Sequence, residues 1–479
     1  MQPRLRQGNQ ITRTAAEKGA VKIGIIAFLA SLALLLLTLV EMRRGFLFPT
    51  EAYLKIGSPS AIILFDPRHL PMLLLAALGA CFSYLYLVKA ERRAAGAGAQ
   101  LQSFTRPTAA AIVIMLVIDL FTYRVVPASR IAAAGRTGIG RAFPIEAFPA
   151  WLAPLGETLN YFLLVWHATL IGLLLGALFL VASGRLLEVL RRGGARAHLA
   201  AGGLALTQPF CSCCAAPIGS ALFRAGAPLG STLAFVVSSP MLNLTSLTLA
   251  ALLLPGKYAV LRIAGGLAVG LLLTYLAALA AGRPSSDSSD TSGIPGTGRA
   301  GDELRGAAAP GEAHSGATPF GRIAFTLNRL AMAPARWMAL DALTGRALPS
   351  PTVLITTWLS TAWRLAAIVL PLLFAGSLAA SVLVRLIPPS GNNPVGIILA
   401  AAFGTLLMIP TWTEIPIALG LLGAGLTGPA AAVLITLPAV SVPCLLVIGS
   451  GTRRPRAAVA LGILVFLAGT AAGLSFLGA

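Results

Sequence analysis

The sequence predicts an all-α polytopic membrane protein with about nine transmembrane helices plus two broken or re-entrant segments. Apolar residues (AVILMFWYC) make up 57% of the 479 residues and charged residues only 11%, against roughly 25% charged in soluble domains. The apolar residues gather in runs long enough to cross a bilayer, which takes about 20 helical residues. Two of the runs are interrupted near their middle by closely spaced prolines. This composition excludes a soluble globular fold, and it excludes disorder, which requires low hydrophobicity. The formal net charge of +20 does not point to nucleic acid. The basic residues are mostly Arg and sit between apolar runs, where membrane proteins hold their cytoplasmic loops.

The elements follow in order. A basic stretch (Arg4, Arg6, Arg13, Lys18, Lys22) precedes the run Ile23–Val40. That run exceeds a signal-peptide core, and Glu41-Met-Arg-Arg follows where small residues would mark cleavage, so it is expected as a retained first helix. Further spans are predicted near 70–88, 109–127, 158–183, 228–254, 258–282, 354–384, 428–449 and 456–478. The two interrupted runs are 199–225, broken at Thr207-Gln-Pro-Phe-Cys-Ser-Cys-Cys-Ala-Ala-Pro217, and 396–425, broken at Pro410-Thr-Trp-Thr-Glu-Ile-Pro416. Each proline removes a backbone donor and clashes with the preceding turn. Non-helical backbone in a membrane is tolerated only where protein or a water-filled cavity surrounds it.

Basic residues suggest the sidedness. With the N-terminus inside, Lys89-Ala-Glu-Arg-Arg93 and Arg191-Arg192 come out cytoplasmic; Arg130, Arg136 and Arg141 run against the rule. If 199–225 is a hairpin, segment 283–350 lies inside; if it spans, that segment lies outside. Arms of about 10 residues reach ~15 Å at 1.5 Å per residue, about half the hydrocarbon thickness. The hairpin is the expectation. The expected division is an N-terminal three-helix membrane region 1–150, a first permease repeat 151–282, a cytoplasmic linker 283–350 and a second repeat 351–479. The linker begins Gly/Pro/Ser/Thr-rich over 283–319, a disordered composition. From Phe320, Arg322, Arg329 and Arg336 recur every seven residues among apolar ones, as in an interfacial amphipathic segment interrupted at Pro334.

The two halves match around the breaks. Pro217-Ile218, Leu222 and Ala225-Gly226 correspond to Pro416-Ile417, Leu421 and Ala424-Gly425. After a one-residue gap, Gly230, Ala234 and Pro240 correspond to Gly428, Ala432 and Pro438. Interrupted helices at corresponding positions of repeated units are the sequence pointer to a transporter binding site. Units of three crossings each would be inverted relative to one another, and the breaks would then approach the midplane from opposite faces.

The candidate binding residues lie in and beside the breaks: Cys211, Ser212, Cys213, Cys214, Asn243, Thr411, Thr413 and Glu414. Thiolates of Cys211, Cys213 and Cys214 suit soft metals and metalloids, although small cysteines also serve simply as packing groups. The spacing is not that of paired CxxC zinc knuckles, nor the CxxC of thioredoxin-like enzymes. Glu414 inside an apolar stretch is costly unless solvated or paired, and so a functional candidate. Arg364, within 354–384, is its expected partner and a candidate for coupling. Asp119 is deep in the third span with Arg124 five residues on. His167 is mid-span, where a packing hydrogen bond is the ordinary role. Asn243 follows Ser238-Ser239-Pro240, and its amide suits either the site or the backbone groups that the proline frees.

At these residues the chain resembles a known family. Pro209-Phe-Cys-Ser-Cys-Cys-Ala-Ala-Pro217, then Arg224-Ala-Gly226-Ala-Pro-Leu-Gly230, then Ser238-Ser-Pro240-Met-Leu-Asn243 resemble the bacterial predicted permeases, a family that includes trivalent organoarsenical efflux permeases and related metal-efflux proteins. Ile409-Pro-Thr-Trp-Thr-Glu414-Ile-Pro416 and Gly423-Ala-Gly425 look like its matching repeat. The resemblance covers about 158–282 and 350–479. Cys214 departs from the pattern, where Ser or Gly is expected. The resemblance implies a multi-pass permease of the bacterial inner membrane, not an enzyme, that exports a soft metal, metalloid or thiol-reactive species. Its partners are the lipid bilayer, the small ion or metalloid substrate and an unseen coupling or thiol-carrier protein, with no nucleic acid; no cofactor is expected. No GxxxxGK[ST] loop occurs, so an ion gradient is the expected energy source. The alternative is a membrane thiol-disulfide oxidoreductase or electron conduit using the cysteine cluster. It predicts cysteines that cycle as a pair, yet the second break has none, and Cys444 lies beyond Pro438.

Overall fold

The computed structural model describes residues 2–44, 47, 67–97, 99–133, 145, 149–182, 184–206, 212–281, 348–386, 391–407 and 414–478. Segment 283–347, including the expected amphipathic stretch, lies outside the described residues. All regular structure among those residues is helical. Eight helices are long and apolar enough to cross a membrane by length and composition. The ninth expected span, 158–183, falls in a continuous helix of 30 residues, Ala153–Ala182.

The N-terminal helices are α1 (Gln2–Arg44), α2 (His69–Gly96) and α3 (Gln102–Ala133). Helix α1 lies along α2, with Gly24 against Leu87 and Gly79 against Ser31, where only hydrogen fits between the backbones. Among the described residues two polar contacts fasten these helices to the rest. Glu91 of α2 accepts a hydrogen bond from the Thr352 N–H at 2.8 Å, placing a carboxylate at a helix N-terminus, where the macrodipole favours it. Asp119 of α3 contacts His167 of α4 (Ala153–Ala182) at 2.8 Å, both buried. The Arg124 side chain, the expected partner of Asp119, lies outside the described residues.

After the short α5 (Gly184–Arg191) comes the first broken segment, α6 (Gly194–Gly203) and α7 (Ser212–Arg224), and then α8 (Leu229–Leu242) and α9 (Leu244–Leu253). Gly226, at φ +102°, closes α7, with Ala227 N–H donating to Leu222 O and Gly226 N–H to Phe223 O. This is the Schellman arrangement that calls for glycine. The backbone turns back and α7 packs antiparallel on α8, Gly219 meeting Val236 and Thr232. Helix α6 packs on the same α8 but parallel to it, His198 near Gly230 and Gly202 near Ser238. Arg191 secures the base by donating to Ala225 O at 3.0 and 2.6 Å. Both ends of the broken segment therefore lie at one end of α8, and the segment folds back on itself.

The second half repeats this plan. Helix α10 (Gly256–Leu267) continues through a π-helical turn, Ala268–Leu273, into α11 (Thr274–Ala280), and α12 spans Pro351–Leu386. Then come α13 (Pro394–Leu406), α14 (Glu414–Gly423), α15 (Thr427–Ala439), α16 (Val442–Gly451) and α17 (Pro455–Ser475). Gly425 has φ +76°, and Leu426 N–H and Gly425 N–H donate to Leu421 O and Leu422 O. The repeated Ala-Gly pairs of the sequence are thus two copies of one helix stop. Helix α13 lies parallel to α15, Ile397 against Gly428 and Gly404 against Thr436. Asn392 bonds both Thr427 Oγ1 and the Gly428 N–H at 3.0 Å.

Helices α8 and α15 form the centre. Every residue from Ser231 to Leu242 and from Gly428 to Ala439 is buried, as expected of helices apolar on all faces. Each stops at a proline-linked break, and its partner α9 or α16 carries the crossing on to 25 residues in all.

Candidate functional site

The break after α8 is built by Pro240 and Asn243. Asn243 is extended (φ −62°, ψ 140°) and caps α9. Its Oδ1 accepts from the Ser246 N–H at 2.8 Å, and its Nδ2 donates to Ser239 O and Pro240 O at 3.1 and 3.2 Å. The amide thus goes to the backbone groups that the break leaves open. The matching break after α15 follows Pro438. There Ser441 accepts from the Cys444 N–H at 3.4 Å.

Glu414 opens α14 and is fully buried. Its Oε1 accepts from Arg262 Nη2 at 3.0 Å and from Ser246 Oγ at 3.2 Å. Arg262, on α10 and also fully buried, donates from Nη1 to Met241 O at 2.8 Å and from Nη2 to Pro240 O at 3.3 Å and Ser246 Oγ at 3.2 Å. Two atoms of the pair, Glu414 Oε2 and Arg262 Nε, are buried with no hydrogen-bond partner among the described residues. The cation therefore sits on carbonyls at the C-terminal end of α8 and the carboxylate at the N-terminus of α14. Each is on the helix end whose partial charge suits it.

This corrects one expectation. Glu414 pairs with Arg262 instead of Arg364. Helix α12, which carries Arg364, runs along α4, with Trp358 Nε1 donating to Leu174 O at 2.8 Å and the Phe162 and Phe374 rings in tilted contact, centroids 5.7 Å apart. Helix α10 lies against α15 and α8 and delivers Arg262 to the break. Arg262 is the functional candidate that sequence reasoning missed.

Of the other expected site residues, Ser212 is buried at the first residue of α7. Cys213 and Cys214 follow it in the helix, their side chains outside the described set. Cys211, Thr411 and Thr413 lie outside the described residues. Among the described residues no group of three or more His, Cys, Asp or Glu is placed to hold a metal ion. Cys444 is buried on α16, the helix that packs on α7 through Ser220 Oγ donating to Val447 O at 3.2 Å.

A many-helix membrane protein, with two folded-back segments packed on two broken central helices, is the class these elements define. A family model described as "Predicted permease" (ArsP_1) matches residues 158–476, more than half of the chain, and the chain belongs to that family. The match takes in His167, Arg262 and Glu414 and leaves out α1–α3 with Asp119. The UPF0718 protein YraQ of Escherichia coli (strain K12) is 28% identical over 321 residues, 66% of this chain and 79% of that protein. The UPF0718 protein MJ0584 of Methanocaldococcus jannaschii is 34% identical over 119 residues, 23% of this chain and 33% of that protein. No solved structure matches. The chain is a multi-pass membrane protein of a permease family.

Proposed function

We propose that the protein is a gradient-driven efflux permease of the bacterial inner membrane, not an enzyme, and that its substrate is a soft metal, metalloid or thiol-reactive species passing between the two breaks. The observation that carries this reading is the Glu414–Arg262 pair. It is a buried charge pair joining the break of one half to the central helix of the other. Charges at membrane depth mark substrate and ion routes, and interrupted helices at matching positions mark the binding site of repeat transporters.

The two units form an inverted repeat in this reading. Tyr258, at the start of α10, meets Phe476 after α17 with ring centroids 4.9 Å apart and the rings tilted at 46°. Its hydroxyl donates to Thr427 O at 3.5 Å. The outlet of α8–α9 is thus beside the inlet of α15–α16, which supports opposite directions for the two units. Segment 283–350 then falls on the cytoplasmic side. Cys211, Cys213 and Cys214 supply soft ligands from the first break, and Glu414 supplies a charge from the second. Loss of the Glu414 charge on substrate binding, and its return on release, ties transport to protons.

A panel of metals and metalloids tests this in cells lacking the protein. Sensitivity to a soft species, relieved by the wild type and not by the Cys211/Cys213/Cys214→Ser variant at equal membrane levels, is the expected result. Full resistance with the triple variant would reduce the cysteines to packing groups.

A further inference from the structure

Arg262 is held by more than Glu414. Its Nη1 and Nη2 reach Met241 O and Pro240 O, carbonyls that the break after α8 leaves without helical partners. When Glu414 leaves, the guanidinium keeps these two acceptors and the negative end of α8. Its Nε, buried and with no acceptor among the described residues even with Glu414 in place, is a further donor. Glu414 likewise keeps the positive end of α14, and its Oε2 has no partner among the described residues. Each group thus keeps a favourable helix end when the two separate, which offsets part of the cost of stranding a buried charge.

We propose that Arg262 is an anion-binding group which Glu414 occupies at rest, so that the site takes up a small anion together with a proton. The anion replaces the carboxylate at the guanidinium, and a proton from the aqueous phase adds to a Glu414 oxygen. The net charge of the buried site is the same before and after. An anion alone would leave two negative charges on one cation in a poorly screened interior, which is costly; the two events are therefore linked. The proposal deepens the permease reading by naming the charge class of what enters the site: a species that presents a negative, acceptor-only group. Among the described residues, α14 carries only Glu414, and α8, α9 and α15 carry no titratable side chain. Helix α10 adds Lys257 and Tyr258 near its start, more than a turn from Arg262.

The test reads binding and not transport, so it can fail while the permease reading stands, and the reverse. The full chain in lipid nanodiscs, in weakly buffered gluconate medium, receives sodium formate, nitrate or chloride while a dye reports pH. Saturable proton uptake on addition of at least one of these anions is expected for the wild type and for Arg262→Lys. Glu414→Gln is expected to bind the anion with complete loss of proton uptake, its Tm rising with the logarithm of anion concentration. Arg262→Gln/Glu414→Gln is expected to show neither. No anion-linked uptake in the wild type would overturn the proposal, as would an equal anion-dependent rise of Tm in the single and double Gln variants. The wild-type arm decides even where a variant fails to fold.

Discussion

At the second break Glu414 meets a guanidinium and a hydroxyl. At the first, the matching position is Ala215, fully buried among apolar neighbours. The same exchange runs along the central helices: Asn243 corresponds to Ser441, and Ser246 to Cys444. The backbone plan is common to both, with a proline-linked break, a side-chain cap three residues before the N–H it serves, and a glycine stop on the returning arm. The polar chemistry is not. The break after α8 is satisfied by charge and amide; among the described residues the break after α15 has the Ser441 hydroxyl and small side chains. The difference teaches that the repeat fixes where the backbone opens, while single side chains decide what each opening can hold.

The comparison breaks most sharply at the charge pair. Arg262→Gln leaves a buried carboxylate without its counter-charge and is expected to lower stability by about 3–5 kcal/mol. Arg262→Gln/Glu414→Gln should recover much of that loss, because no lone charge remains. Thermal unfolding in one detergent reads both, and strictly additive losses would show that the pair is not coupled. Next comes Ser246→Ala, which removes a hydroxyl bonded to both charges and is expected to cost about 1.5–3 kcal/mol. Cys444→Ala, its counterpart, touches neither charge and is expected to cost less; a value equal to that of Ser246→Ala would erase the contrast drawn between the breaks.

The caps sharpen it further. Asn243→Ala removes a cap bond of 2.8 Å and two bonds to carbonyls, an expected loss of about 1–2 kcal/mol. Ser441→Ala removes one bond of 3.4 Å and should cost less. The smallest effect concerns what the halves share. Gly226→Ala and Gly425→Ala both force a side chain into positive φ. Each should lower stability by about 1 kcal/mol, and by similar amounts. Clearly unequal values would mean that the two stops carry different strain.

The class of fold was readable because hydropathy and proline are local signals. Long apolar runs gave the crossings, and Pro217, Pro240, Pro416 and Pro438 marked the broken segments and central helices before any contact was known. Gly226 and Gly425 were visible as repeat identities, and their positive φ supplies the reason. Glu414 stood out because a lone acid in an apolar stretch is conspicuous. Arg262 did not, because it lies seven residues into α10, where an arginine ordinarily reaches back to the interface. Only the packing of α10 against α8 turns it inward. The Asp119–His167 contact was hidden for a similar reason, since its partners are 48 residues apart and neither position predicts the other. Arg364 was chosen for its depth in a run, yet depth along one helix says nothing about which neighbour that helix faces.

Glu414 carries the central claim, that the charged break takes part in transport. The direct measurement is uptake of a metalloid into inverted vesicles over a pH series, comparing wild type with Glu414→Gln at matched protein levels. The account predicts that the Gln variant still binds substrate and has lost pH-dependent uptake. Unchanged uptake with an unchanged pH dependence in that variant would contradict it.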